Sequence, residues 1–468
     1  MSTKRVLIAT DVDRTILTQK DGEKYDFSSG VGHELIRLVK KGFNVAFITG
    51  NSMKQLTDRL LKFLVEELFH RNQLDLIKSF HFFCNAGGVY FHFGDQSDKV
   101  NNLIEKTNQQ KLTTKDIMDS LIDNASSSVC SEFIDANYLK KTRIPKDEVR
   151  AIRKILEEQC EAYYSEIESK RSKIEKDYDL THPTEIADRN DSHLIKPSVE
   201  ERPIHYMDNG MPQMDTVQLT LKPILSYQHG KDKKKQVELF KKIDYRNSLV
   251  KKIQHQLDRE GLVHYVARPG GRSSIDITYA KLDKAYALEF IIDHLNLQGL
   301  ERLGQRFGSN TVYFGDEVIV GGGNDYPVTR IPGLLTFAVN RNAETVPLRS
   351  HVFVPSPTTQ EVDATEISLR KLNDIARKQN SKKNNNRSVL DDFKEEIFRE
   401  RIVEKLNSKT NLEAHNWQTL NALVSLMCRK DESAKKWVEI LVNELDSIMI
   451  QLGDRAHQSA YGTSHPDA

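Results

Sequence analysis

A run of buried-strand character, Val6-Leu7-Ile8-Ala9, passes directly into Asp11-Val12-Asp13-Arg14-Thr15. Unbroken apolar and β-branched residues mark a strand covered on both faces, as in a parallel sheet. Its end carries two carboxylates one residue apart, at the edge where open parallel sheets bind ligands. Carboxylates this close repel one another unless a cation joins them, and Mg²⁺ prefers such hard oxygens. A plainer alternative is that the two Asp form a turn and a helix cap. Partners elsewhere in the chain decide between the two.

Three segments supply partners. Val45-Ala46-Phe47-Ile48-Thr49-Gly50-Asn51-Ser52 is a second apolar strand, ending in a hydroxyl, a glycine and polar residues. A Thr hydroxyl and exposed N–H groups at such a turn suit a phosphate oxygen, although Thr49 alone would read as a cap. Ser274-Ile275-Asp276-Ile277-Thr278 alternates as a strand and is followed by Lys281, Asp283 and Lys284 opening an apolar helix. Either lysine is suited to neutralise phosphate, and the residues leave the choice open. Val312-Tyr313-Phe314-Gly315-Asp316-Glu317, then Gly321-Gly322-Gly323-Asn324-Asp325, joins a strand end to acidic residues and a glycine-rich loop.

The order carboxylate pair, Thr, Lys, acidic glycine-rich loop resembles the haloacid dehalogenase superfamily of phosphotransferases. The match covers residues 1–93 and about 276–355, with a long insertion between. Receiver domains also use Asp, Thr and Lys, but they are short and lack the Gly-Asp-Glu loop. The resemblance implies an α/β fold: a Rossmann-like parallel-sheet core, an inserted α+β cap of the C2 type, and here a C-terminal helical appendage.

The resemblance also implies roles. Asp11 is the nucleophile and Asp13 the general acid and base. Thr49 and Lys284 hold phosphoryl oxygens, and Asp283-Lys284 matches the family's Asp-Lys pair, which favours Lys284 over Lys281. Asp11, the Asp13 carbonyl and Asp316 bind Mg²⁺, supported by Asn324 and Asp325, with Glu317 beside them. Thr15, Gly50 and Asn51 are expected at the phosphate. Arg14 stands where the family usually has Gly.

Locally the closest likeness is to eukaryotic-type phosphomannomutases. Gly270-Gly271-Arg272-Ser273-Ser274-Ile275-Asp276 carries it, with Phe314-Gly315-Asp316 and Gly322-Gly323-Asn324-Asp325. It places Arg272, Ser274 and Asp276 at the substrate, and Lys20 where the family has an arginine. Asn209-Gly210-Met211 is similar to a cap segment of that family, but Asp208 replaces its arginine. A mutase grips a second phosphate through such arginines, so the change argues for hydrolysis.

Length and composition bound the rest. With 468 residues the chain has room for two or three domains. No stretch approaches the roughly twenty apolar residues of a membrane span. A net charge of +1 gives no general attraction to nucleic acid. Cys84, Cys130, Cys160 and Cys428 show no zinc spacing. Met1 to Arg5 run straight into the first strand without a signal-peptide pattern, so a cytoplasmic location is expected.

Strands and helices alternate up to residue 93, including helices over 33–41 and 53–69 and a hairpin after Phe82-Phe83-Cys84-Asn85. The cap is expected over 94–275, polar and helical at first, then antiparallel strands with a helix near 233–259. The core resumes over 276–355. A polar linker is expected at 377–388, amphipathic helices over 389–452, and a disordered tail at 453–468. A homodimer through those helices or the cap is an open arrangement.

The expected activity is Mg²⁺-dependent hydrolysis of a small phosphorylated metabolite, a phosphosugar first, through an aspartyl-phosphate. The alternatives are a sugar phosphomutase, a nucleotidase with Tyr206 or Tyr265 stacking on a base, and a non-catalytic phosphate-sensing scaffold.

Overall fold

The computed structural model describes residues 6–18, 26–27, 29–94, 97–109, 112–123, 128–177, 198–222, 246–270, 274–297, 310–318, 323–339, 352–353, 361–381, 388–394 and 396–397. The first strand, β1 (Leu7–Thr10), is followed by a two-stranded ribbon, β2 (Leu17–Thr18) with β3 (Asp26–Phe27). β4 (Asn44–Ile48) and β5 (Phe80–Cys84) continue the main sheet, and β6 (Val89–His92) returns as a hairpin. A second small ribbon joins β7 (Ile122–Asp123) to β8 (Ser128–Val129). Four longer strands come next: β9 (Ser198–Asp208), β10 (Met211–Lys222), β11 (Tyr265–Gly270) and β12 (Ser274–Tyr279). β13 (Thr311–Gly315), β14 (Leu335–Ala338) and β15 (Val352–Phe353) complete the main sheet.

The main sheet runs β15-β14-β13-β1-β4-β5-β6, parallel throughout except for the β6 edge. Alternate residues of β1 feed opposite cores. Ile8 packs with Val45, Phe47, Phe82 and Phe314, while Leu7 and Ala9 pack with Ala46, Ile48, Phe83 and Tyr313. Burial on both faces explains the unbroken apolar run in the sequence. The chain leaves β1 toward β4 on one side and later returns to β13 on the other. This reversal of strand order is where an α/β sheet opens a crevice, and Asp11 sits at its mouth. The expected α/β class, with a parallel-sheet core interrupted by an α+β unit, is therefore what the chain adopts.

The inserted unit is an antiparallel sheet of order β11-β12-β10-β9. Helices Lys146–Asp177 and Arg246–Arg259 pack on one face of it. Its own core joins Ile152, Leu156, Leu219, Leu221, Ile253, Leu257, Ile275 and Ile277.

Two boundaries expected from composition fall elsewhere. Composition starts the insertion at 94, but helices Ser97–Asn108, Thr114–Leu121 and Ala136–Thr142 bury Val100, Leu103, Ile117, Leu121 and Leu139 in the main core. The separate cluster begins only at Ile144. An amphipathic helix needs a narrow apolar stripe, so its polar faces dominate the composition while it still belongs to the core. Likewise the polar run from 377, expected as linker, is helical to Ser381, within the helix Glu361–Ser381. Leu369, Leu372 and Ala376 of that helix join the main core, as do Leu390 and Phe393 beyond it. Asn373 fastens it further, donating through Nδ2 to the Glu34 carbonyl (2.9 Å) and Oε2 (2.7 Å). The expected helices around Trp417 and Val438, and the tail, lie outside the described residues.

Leu372→Ala should therefore cost about 2–5 kcal/mol of global stability, as for other buried leucines. Urea unfolding watched by circular dichroism measures it; an unmoved main transition would mean that this helix folds apart from the core.

Candidate active site

Asp11 comes directly after β1 and donates its backbone N–H to the Phe314 carbonyl (2.8 Å), which anchors it between β1 and β13. Lys284 opens the helix Lys284–His294, capped by Asp283, whose side chain accepts from the Tyr286 N–H (2.9 Å). This fixes the start of the helix and turns Lys284 inward. Its Nζ lies 2.7 Å from Asp11 Oδ1 and 2.6 Å from Asp325 Oδ1, with all three residues buried. Asp325 is held by further donors, the Tyr313 hydroxyl and the Glu317 N–H (2.9 Å). Gly315 is required here: a Cβ on it would stand 2.6 Å from the Asp325 carboxyl carbon. Lys281, the competing candidate, lies instead over the rings of Tyr279 and Tyr286, 5.6 and 5.7 Å from their centroids.

Oxygens of Asp11, Asp316 and Asp325 all come within 4.8 Å of one another. Burial, with the neighbouring carboxylates, pushes the Asp11 carboxyl up to about 7 against the pull of Lys284. The Asp316 carboxyl is pushed to about 9 by burial and by Asp11 and Asp325. Burial would lower the Lys284 ammonium, but the charges of Asp11 and Asp325 overcome it and hold it above its usual range. When ionised, three buried carboxylates outnumber the one buried ammonium among them. A hard divalent cation such as Mg²⁺ fits that donor set in charge and ligand type. Asn324 is exposed, and its backbone N–H points to Glu317 Oε2 (3.3 Å).

Asp13 occupies a different environment, its side chain 34% exposed. Asn51 Nδ2 donates to Asp13 Oδ2 (2.8 Å), and Arg59 lies 3.5 Å from Oδ1. Arg59 belongs to a π-helical turn, Thr57–Leu61, inside the run of helix from Met53 to His70. Such a turn interrupts the regular helical repeat and is frequent at functional sites. The apolar spacing of Leu56, Leu60, Leu61 and Leu64 gives no hint of it. Thr49 is buried at the end of β4 and its Oγ1 accepts from the Asn51 N–H (3.1 Å), which leaves its own hydroxyl proton free to donate. Gly50 is exposed beside it, and Thr15 is buried with no hydrogen-bond partner for its hydroxyl among the described residues.

The inserted sheet presents its polar face on the side away from its own core. Gln218 donates to Thr220 (3.0 Å), and Thr220 donates to Asp276 Oδ1 (2.9 Å). Ser274 donates to the Gly270 carbonyl (2.7 Å). Burial raises the Asp276 carboxyl, opposed by Arg202 and by these hydrogen bonds. Val217 of β10 packs on the turn after β5, 3.2 Å from where a Gly88 Cβ would lie. Sequence reading missed Arg202, Gln218 and Thr220, since ordinary alternation in a strand carries no chemical signature. Lys20 and Arg272 lie outside the described residues. Lys222 pairs with Glu200 (2.5 Å) and Asp208 with Lys140 (2.8 Å). Tyr206 and Tyr265 are both buried, their hydroxyls bonded to Asp215 (2.7 Å) and to Glu148.

No protein-family model matches the chain, and no curated protein matches it in sequence. Solved structures similar to it include an N-terminally truncated IMP-nucleotidase of Plasmodium falciparum, with 15% identity, TM-score 0.39, and 72% of this chain and 66% of that one covered. A sucrose-phosphatase from Synechocystis, solved with sucrose and phosphate, shares 13% identity at TM-score 0.31, covering 72% and 83%. A haloacid dehalogenase-like hydrolase from Bacteroides thetaiotaomicron shares 10% identity at TM-score 0.36, covering 79% and 100%. The chain thus spans about two thirds of the nucleotidase. Likeness this slight fixes neither substrate nor chemistry. Among the described residues no helix is long and apolar enough to cross a membrane.

The two raised carboxyls carry a pH consequence. Both hold protons more tightly folded than unfolded, so their contribution to metal-free stability is fullest below the unfolded value of 3.8 and falls as pH rises through about 7 and about 9. In EDTA the melting temperature should drop between about pH 5 and pH 9, less so in Asp316→Asn, and millimolar MgCl₂ should restore it at the upper end. A metal-free melting temperature that changes with pH identically in the parent chain and in Asp316→Asn would contradict the assignment.

Proposed function

We propose that this chain is a phosphohydrolase of the haloacid dehalogenase type, acting on a small phosphorylated metabolite, with a phosphosugar as the first candidate. The observation that carries the reading is the buried contact of Lys284 with both Asp11 and Asp325, beside Asp316. Lys284 engages one oxygen of Asp11 and leaves the other to attack phosphorus, forming an aspartyl-phosphate. Asp13, more exposed and set by Asn51, gives its proton to the departing oxygen. It then takes a proton from the water that cleaves the acyl phosphate, which restores Asp11 and releases phosphate. Thr49 donates to a phosphoryl oxygen, and Lys284 offsets the charge that spreads over these oxygens in a loose transition state. Asp11, Asp316 and the Asp13 carbonyl are the groups to hold Mg²⁺, with Asp325 positioning Lys284; the cation supplies charge neutralisation at the phosphoryl group.

The leaving group lies under the polar face of the inserted sheet. Amide, hydroxyl and carboxylate groups there (Gln218, Thr220, Ser274, Asp276) suit a hydroxylated leaving group. The buried, bonded rings of Tyr206 and Tyr265 do not suit base stacking, and the pairing of Asp208 with Lys140 offers no grip on a second phosphate.

Phosphate release from phosphosugars, nucleotides and phosphoglycerates, with Mg²⁺ or EDTA, tests the reading. Asp11→Asn should lower Mg²⁺-dependent turnover by about a thousandfold or more. Turnover that survives in the variant would contradict the nucleophile assignment.

A further inference from the structure

Arg14 sits in the loop between Asp13 and β2 with a φ of 59°, a left-handed conformation that a side chain with a Cβ disfavours. Its side chain is 52% exposed and lies between two carboxylates. NH1 is 4.0 Å from Asp316 Oδ2, and Nε is 3.7 Å from Glu361 Oε1. Asp316 belongs to the buried carboxylate trio. Glu361 is the first residue of the helix Glu361–Ser381, has a φ of 48°, and donates its N–H to the Val339 carbonyl (2.6 Å). That helix is fixed to the core through Asn373, which bonds Glu34 and also accepts from Lys41 (3.0 Å). One guanidinium is therefore shared between the candidate cation site and a helix that arrives from far along the chain. Neither of the two left-handed residues is a glycine, and their side chains meet.

We propose that Arg14 and Glu361 together set the affinity of the Asp11–Asp316 centre for a divalent cation, Arg14 pairing with Asp316 before the cation binds and withdrawing to Glu361 when it does. This rests on the metal reading above. The direction comes from charge. A guanidinium and a dication compete for the Asp316 carboxylate, so Arg14 weakens cation binding. Glu361 receives the displaced guanidinium, so it relieves that competition. Arg14 and Glu361 are positioning residues, and Glu361 acts only through Arg14.

The test uses the metal-stripped full chain, titrated with MnCl₂ by calorimetry and then melted against MgCl₂, with no substrate present. Arg14→Gln should tighten cation binding by about two- to fivefold, the range expected of a part-exposed ion pair. Glu361→Gln should weaken it by a similar factor, and the double variant should match Arg14→Gln alone. Both shifts should shrink in about 0.5 M KCl, since exposed charges are screened; Arg14→Gly serves if Arg14→Gln fails to fold. A Glu361→Gln shift that persists without Arg14, or unchanged binding in Arg14→Gln and Arg14→Gly, overturns the proposal. A parent chain that binds neither cation overturns the metal reading and this proposal with it, an outcome distinct from metal binding that ignores both residues.

Discussion

A single buried ammonium organises the centre of this molecule. Taking Lys284 out of water is costly, and only close contact with both Asp11 and Asp325 offsets the cost. Many local features serve that contact. Asp283 caps the helix that presents Lys284, Gly315 leaves room for the Asp325 carboxyl, and Tyr313 and the Glu317 N–H hold that carboxyl in place. Asp325 gives Lys284 a second carboxylate partner besides Asp11. The remaining negative charge, concentrated at Asp316 and Asp11, is what the proposed cation would offset.

Two carboxylates separated by one residue acquire different environments from the fold alone. Asp11 is anchored by β13 and buried against Lys284; Asp13 faces outward and is held by Asn51 and Arg59. Burial beside a lysine for Asp11 and partial exposure beside an amide and a guanidinium for Asp13 thus give chemically identical groups different surroundings. The inserted sheet adds a second polar surface, where Gln218, Thr220 and Asp276 are linked by hydrogen bonds.

Parallel strands buried on both faces write unbroken apolar runs, and this made much of the site legible in the sequence. β1, β4 and β13 each end where their chemistry begins, so Asp11, Thr49 and Asp316 can be placed at one edge from sequence. Residues that reach the site from helices are harder to see. Arg59 depends on a π-helical turn that no apolar spacing announces, and Gln218 on the pleat of a strand with ordinary composition. The helix Glu361–Ser381 is hidden for another reason: 21 residues with a thin apolar stripe read as polar, although the stripe completes the main core. The same effect moves the expected insertion boundary from 94 to about Ile144.

A crystal structure of the chain with Mg²⁺ and beryllium fluoride would test the central claim most directly. One cation is predicted within about 2.1 Å of carboxylate oxygens of Asp11 and Asp316, with a fluoroberyllate on the Asp11 oxygen that Lys284 does not engage, and Lys284 still in contact with Asp325. A cation bound elsewhere, or a fluoroberyllate on any other side chain, would contradict it.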